Sequence, residues 1–269
     1  MNRTMNRYLS MLRIGIMEEL QFRLGAFIKL FGTIIYLIII YFLWKAIFNS
    51  SPSPVVNGMT FSDTMIYLVL ASSLFTTMEM YVTWEMGRSI QRGEIIVNLI
   101  KPMEYETFMF FTFGGSTIVS ACVTLIPTMI IVYIVTNGGF SLGINLVYFA
   151  LAVLLGTILN FYINFIVGTI CFYTESIWGV NIMKEVVVML LSGASIPLAF
   201  FPEAFQRIVY NLPFQAIYNT PLLLLIKDDL GHVERIEMLI NQLFWVIVVG
   251  LISHFFLKVS MRKITINGG

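Results

Sequence analysis

Six stretches of nearly unbroken apolar residues divide the chain, with approximate cores at 26–48, 64–86, 107–135, 146–172, 181–199 and 239–257. A helix rises about 1.5 Å per residue, so roughly 20 apolar residues cross about 30 Å of hydrocarbon. Every stretch but the fifth reaches that length, and the fifth falls slightly short. The pattern predicts an all-α polytopic membrane protein, one domain over 1–269 with six transmembrane helices. What interrupts the apolar runs is then the informative part.

Ahead of the first stretch, residues 5–24 divide into two faces. Met5, Leu9, Leu12, Ile16 and Leu20 fall within one helical arc of about 80°, with Arg3, Arg7, Ser10, Glu18 and Gln21 opposite and Arg13 at the edge. That division predicts a helix lying in the membrane interface. A helix packed on protein is the other reading. Gly25 permits a turn into the first span, where Lys29 and Lys45 are placed to snorkel to opposite interfaces. The segment from Asn49 to Met59 holds Pro52, Pro54 and Asn57-Gly58, the residues of a connector.

The second stretch carries Ser72, Thr76, Glu79 and Thr83 at i, i+4, i+7 and i+11, one stripe of an unbroken helix. A carboxylate about 10 Å inside a span is costly against lipid. The stripe therefore faces a pathway or gate, or Glu79 pairs with Lys184 at comparable depth, or it packs protonated. The fourth stretch has Gly156, Asn160, Asn164 and Gly168 four apart, a pattern for close helix packing, with substrate contact as the second reading. His254 reads as an interface residue rather than a proton relay. Cys122 and Cys171 read as small buried apolar residues rather than a disulfide or metal pair.

Two segments between spans are neither loop nor span. Residues 88–101 are too polar to cross, yet Ile90, Ile95, Ile96 and Leu99 give them an apolar side bounded by Gly93 and Pro102. A short amphipathic helix suits a partner's groove; a solvated loop on the membrane is the alternative. Residues 191–226 are too apolar for a loop and broken by Pro197, Pro202, Pro213 and Pro221. Each proline removes a backbone donor, which predicts short re-entrant helices over 197–226 with their breaks covered by protein.

Composition agrees: 58% hydrophobic, 12% charged and a net charge of +1, which offers nothing to nucleic acid. Of the sixteen Lys and Arg, only Lys45, Arg207, Lys227 and Arg235 fall on one side of a six-span topology. The other twelve share the side of both termini, which is therefore cytoplasmic. Asp63, Glu203, Asp228, Asp229, Glu234 and Glu237 make the outer face acidic. No G-x4-GK[ST] phosphate loop occurs, so the chain cannot bind ATP by that route.

Ser192, Gly193, Pro197, Phe201 and Pro202, then Leu212-Pro213-Phe214 and Pro221, follow an order that matches a known family. With Ile90, Arg92, Gly93, Leu99, Lys101 and Pro102, the chain resembles permease subunits of ABC-2 class ATP-binding-cassette exporters, most closely the daunorubicin-resistance branch. Lys101 departs from the arginine expected there, keeping the charge without the bidentate geometry. The resemblance implies a permease in the cell membrane that works in pairs, self or homologous, with two ATPase subunits. The chain itself would bind no cofactor or metal; ATP and Mg²⁺ would sit on the ATPases. Residues 88–101 would be the coupling helix, with Arg88, Ile90, Arg92, Gly93, Glu94, Ile95, Ile96, Leu99, Lys101 and Pro102 engaging the ATPase cleft. The route for an amphipathic drug, peptide or lipid would run between the permeases, lined by spans one, two and five. Ser72, Thr76, Glu79 and Thr83 would lie on it. Gly193, Pro197, Phe200, Phe201, Pro202, Pro213, Phe214 and Pro221 would form the outer gate, with Phe200 and Phe201 near the partner permease. The rival readings are a membrane anchor or sensor without transport and a secondary transporter, which would show broken spans near the membrane centre. Pro127 apart, the sequence places its breaks at the outer end.

Overall fold

The computed structural model of the protein describes residues 2–21, 23–101, 103–140, 142–174, 177–227 and 229–263. Pro102 and Asp228, and the side chains of Arg3, Met5 and Lys29, lie outside the described residues. The described elements are helical except for one small hairpin. In order they are α1 (Asn2–Gln21), α2 (Arg23–Ser50), strands β1 (Val55–Val56) and β2 (Met59–Thr60), α3 (Phe61–Thr77), α4 (Val82–Gln91) and α5 (Ile95–Leu99). Then follow α6 (Tyr105–Ser120), a π-helical turn (Ala121–Leu125), α7 (Ile126–Val135), α8 (Ile144–Ile170) and α9 (Ile177–Leu191). A 3₁₀ turn (Leu198–Phe200), α10 (Glu203–Val209), α11 (Gln215–Ile226), α12 (His232–Ser260) and a last 3₁₀ turn (Met261–Lys263) complete the order.

Five helical stretches among the described residues are long and apolar enough to cross a membrane: Phe31–Ser50, Phe61–Gln91, Tyr105–Val135, Ile144–Ile170 and His232–Ser260. The fifth predicted span, 181–199, is instead the 15-residue α9, about 22 Å long. It stops at Leu191 because Gly193 turns at φ 79°, a conformation that L side chains rarely adopt. A Cβ there would lie 2.6 Å from the Tyr67 hydroxyl. That hydroxyl donates to Asn219 Oδ1 at 3.2 Å, and Asn219 N donates to the Ser192 carbonyl at 3.2 Å.

The predicted connector folds on itself. Asn57 and Gly58, both at positive φ, form the tight turn that pairs β1 with β2. Thr60 then caps α3 with Asp63 in a reciprocal box at 3.2 and 3.0 Å. In the third span Pro127 lacks the N–H and crowds the carbonyl four residues back, and the chain answers with the wide π turn immediately before it. Cys122 lies on that turn and is exposed, against expectation, while Cys171 is buried; both are free thiols.

Helix α8 is the hub, packed by α4, α11 and α12. The re-entrant α11 is buried along most of its length against α8 and α3. Gln242 of α12 ties the three together, donating to the Ala152 and Ala216 carbonyls at 2.7 and 2.8 Å. Pro221 deprives the Ile217 carbonyl of its helical donor, and Gly156 lets that oxygen approach α8, where a Cβ would stand 2.8 Å away. Tyr173 after α8 stacks on Phe256 and accepts from Ser260, so the ends of α8 and α12 share one end of the molecule.

Helix α1 lies along α6. Tyr8 stacks on Phe111 at 4.9 Å, and Gly15 and Gly115 bring the two backbones together, a Cβ on Gly115 falling 2.7 Å from Ile16 N. Leu9 and Leu20 of the predicted apolar arc are exposed, while Leu12 and Ile16 are half-buried. One edge therefore packs on protein and the other stays open. Gly25 sits inside α2, already helical at Arg23, so the turn does not occur there.

Candidate functional site

The second apolar stretch is two helices. Helix α3 stops at Thr77, α4 begins at Val82, and Met78, Glu79, Met80 and Tyr81 form an irregular turn between them. The expectation that breaks lie only at the outer end, Pro127 apart, does not hold. A break within a span strands backbone groups that water cannot reach, and neighbouring side chains must take them. Asn160 on α8 donates Nδ2 to the Met78 carbonyl at 2.7 Å. Asn164, one turn on, donates to the Asn160 carbonyl and accepts from Lys184 Nζ of α9 on Oδ1, each at 2.8 Å. The stripe Gly156, Asn160, Asn164 and Gly168 thus serves packing between helices, as its spacing predicted, and holds the break as well. Gly168 takes the Met86 side chain, whose sulfur would lie 2.7 Å from a Cβ there.

The break divides the predicted stripe. Ser72, Thr76 and Glu79 line a cavity of about 330 Å³ with Tyr36 of α2, Phe75, and Ser195 beyond α9. Its walls come from the first, second and fifth apolar stretches. The hydroxyls of Ser72 and Thr76 donate to the carbonyls of Val69 and Ser72, which leaves Glu79 as the charged group on the wall. Thr83 is not there. It is fully buried on α4 and donates to the Asn164 carbonyl at 2.9 Å, because the break resets the helical phase. Lys184 and Glu79 share a second, smaller cavity and act on one another electrostatically. Lys184 donates to Asn164 and lies 3.9 Å from Glu185.

At the terminus-bearing end, α4 and α5 form an elbow about Gly93, which turns at φ 72°. Ile95 points into the core at 3% exposure, packed with the cluster that includes Met86, Tyr105 and Met109. It is therefore not a surface residue free to engage an ATPase cleft, and aspartate there would disrupt the local packing. Ile90 and Leu99 are half-buried against the same cluster. The outward apolar residues are Ile96, Val97 at 61% and Ile100 at 76%; Val97 and Ile100 escaped the sequence reading, although their i, i+3 spacing was visible. Arg88, Arg92 and Glu94 are exposed, Arg88 pairing with Glu85 at 3.2 Å. Lys101 bonds Asn98 at 2.7 Å and sits 4.0 Å from the Phe108 ring centroid, a use of lysine that needs no fork of donors.

The proline-rich region is distributed. Pro197 and Pro202 precede the 3₁₀ turn and α10, Pro213 and Phe214 precede α11, and Pro221 lies within it. Phe200 packs on Trp44 and Phe48 of α2 at 4.5 and 6.4 Å, so it is occupied by its own chain. Phe201 packs against Phe205 with the rings tilted and their centroids 5.0 Å apart, and it is half-buried. His254 lies 3.6 Å from Glu106, whose other oxygen accepts from Ser253 at 2.6 Å.

Residues 34–268 match the family described as ABC-2 family transporter protein. The chain belongs to the ABC-2 transporter family. The match reaches the family and does not single out the daunorubicin-resistance branch. No curated protein matches the chain. As an ABC-2 membrane protein it is a transport component rather than a catalyst, and the family assignment, not the placement of its breaks, separates it from a secondary transporter.

Proposed function

We propose that this ABC-2 permease is the membrane subunit of an ATP-driven exporter in the cell membrane, with both termini cytoplasmic. The α4–α5 elbow docks a separate ATPase, which carries the ATP and Mg²⁺. The supporting observation is the outward apolar set of Ile96, Val97 and Ile100 on a short helix wedged between two spans, flanked by the exposed Arg88, Arg92 and Glu94. Inward, Ile95 ties the same helix to the core under α4, so force applied to the elbow is delivered to the broken span. Two permeases assemble through α2 and α9, whose apolar side chains, Ile38, Phe42, Trp178 and Met183 among them, are exposed. Substrate moves outward past the Glu79 cavity, and the α9–α10 region closes its far end.

Val97→Asp with Ile100→Asp tests the docking surface. Both positions are exposed, so the fold persists, and a charge in an apolar groove costs several-fold to a hundredfold in affinity, about 1–3 kcal/mol. Co-purification with an ATPase is expected to fail while the permease elutes normally. Retention of the ATPase with coupled hydrolysis intact would sink the docking assignment.

A further inference from the structure

Three cavities share wall residues along the broken span. The cavity of about 330 Å³ shares Phe75 and Glu79 with one of about 80 Å³ bordered by Asn164, Lys184 and Tyr218. That one shares Tyr81 with a third, of about 510 Å³, bordered by α1, α4 and α6. Glu18 and Glu19 of α1, Glu85 and Arg88 of α4, and Phe108 and Phe113 of α6 wall this vestibule. Glu79 and Tyr81, both in the break, each stand between two cavities. The irregular turn is thus the septum of a series running from the terminus-bearing end to the turn after α9.

The walls share one chemistry. Along the series five carboxylates, Glu18, Glu19, Glu85, Glu79 and Glu185, face the two cations Arg88 and Lys184. Both cations are engaged, Arg88 with Glu85 at 3.2 Å and Lys184 with Asn164 at 2.8 Å. The whole chain carries +1, so the negative excess belongs to the route and not to the composition. Low-dielectric walls focus such a field. Aromatic rings accompany the charge: Tyr81, Phe108 and Phe113 in the vestibule, Tyr36 and Phe75 beyond the septum. Ring faces attract cations, and Lys101 already uses Phe108 in that way from within the chain. An anion meets carboxylates here, and the rings beside them favour a cation with an apolar body over a strongly hydrated inorganic one.

We infer that this permease takes lipophilic organic cations into the vestibule and passes them by Tyr81 and Glu79 to the far cavity. The inference rests on the permease reading above and names its substrate class.

Tetraphenylphosphonium and tetraphenylborate share shape and size and differ in the sign of charge. Binding of each to the full chain in phosphatidylcholine nanodiscs is measured above empty discs. The phosphonium is expected to bind saturably and the borate at least about tenfold more weakly. Glu79→Gln weakens phosphonium binding about tenfold, and Glu18→Gln with Glu19→Gln about threefold, while Glu79→Asp stays close to wild type. Size-exclusion elution reports folding, and if Glu79→Gln misfolds, the α1 double variant and Glu79→Asp carry the test. Equal binding of the two ions, or phosphonium binding unchanged in the Gln variants, overturns the inference. Selective cation binding without ATPase association defeats the permease reading alone. Coupled hydrolysis without cation selectivity defeats this inference alone.

Discussion

Two membrane-spanning stretches are interrupted in mid-course, and the causes are opposite. In the third, Pro127 cannot donate to the helix ladder, and the turn of Ala121–Leu125 widens to make room. Around it the apolar Val123, Ile126, Ile130 and Ile131 are exposed. In the second, Met78 to Tyr81 contain no proline and no glycine, and the helix stops all the same. Its neighbours are the amides of Asn160 and Asn164, the Lys184 ammonium and two cavities. A local cause gives a bulge that the helix absorbs. A tertiary cause gives an opening, because the partners that satisfy the backbone also bring polar groups and space.

The comparison can be broken most decisively at Asn160. Asn160→Leu leaves the buried Met78 carbonyl without its donor and should cost about 1–3 kcal/mol. A drop of several degrees in apparent Tm by intrinsic fluorescence is expected, together with loss of phosphonium binding. An unchanged Tm with binding intact would mean the break does not depend on α8.

Thr83→Val is the milder form. It keeps the shape and deletes the bond to the Asn164 carbonyl, with an expected loss of about 1 kcal/mol. Thr83 lies behind the septum rather than on the cavity wall, so binding at the Glu79 cavity should change less than twofold. A larger loss of binding than of stability would return Thr83 to the route.

Pro127→Ala should do least. With the cause of the bulge removed, the third span can close into regular helix, and stability should shift by at most about 1 kcal/mol toward the folded state. Amide hydrogen exchange over 121–127 is expected to slow while phosphonium binding stays as in wild type. Loss of binding here would show that the bulge, too, belongs to the route.

Much of the fold was legible because its causes are local. The Asn57-Gly58 turn and the proline breaks each follow from neighbours a few residues apart, and the Thr60–Asp63 cap, equally local, went unread. The site was legible in part. Ser72, Thr76 and Glu79 do share a wall, but Thr83 does not, since the stripe assumed one continuous helix phase. Ile95 and Ile96 are adjacent apolar residues on a short helix, and nothing local says which one turns inward. The cluster around Met86, Tyr105 and Met109 decides it. Phe200 looked free for a partner and proved to be taken by Trp44 and Phe48, distant in sequence.

By itself, then, the sequence determined that the chain is a polytopic helical membrane protein, where most of its helices lie and which turns its prolines and caps enforce. Spans and caps depend on the solvent and on covalent neighbours, which are the same in any fold. Only the tertiary structure decided that the second span opens at Met78–Tyr81, that Lys184 answers to Asn164, and that Tyr36, Glu79 and Ser195 meet around one cavity. Those depend on groups many residues apart, and a broken helix in hydrocarbon is stable only once such groups have come to its backbone.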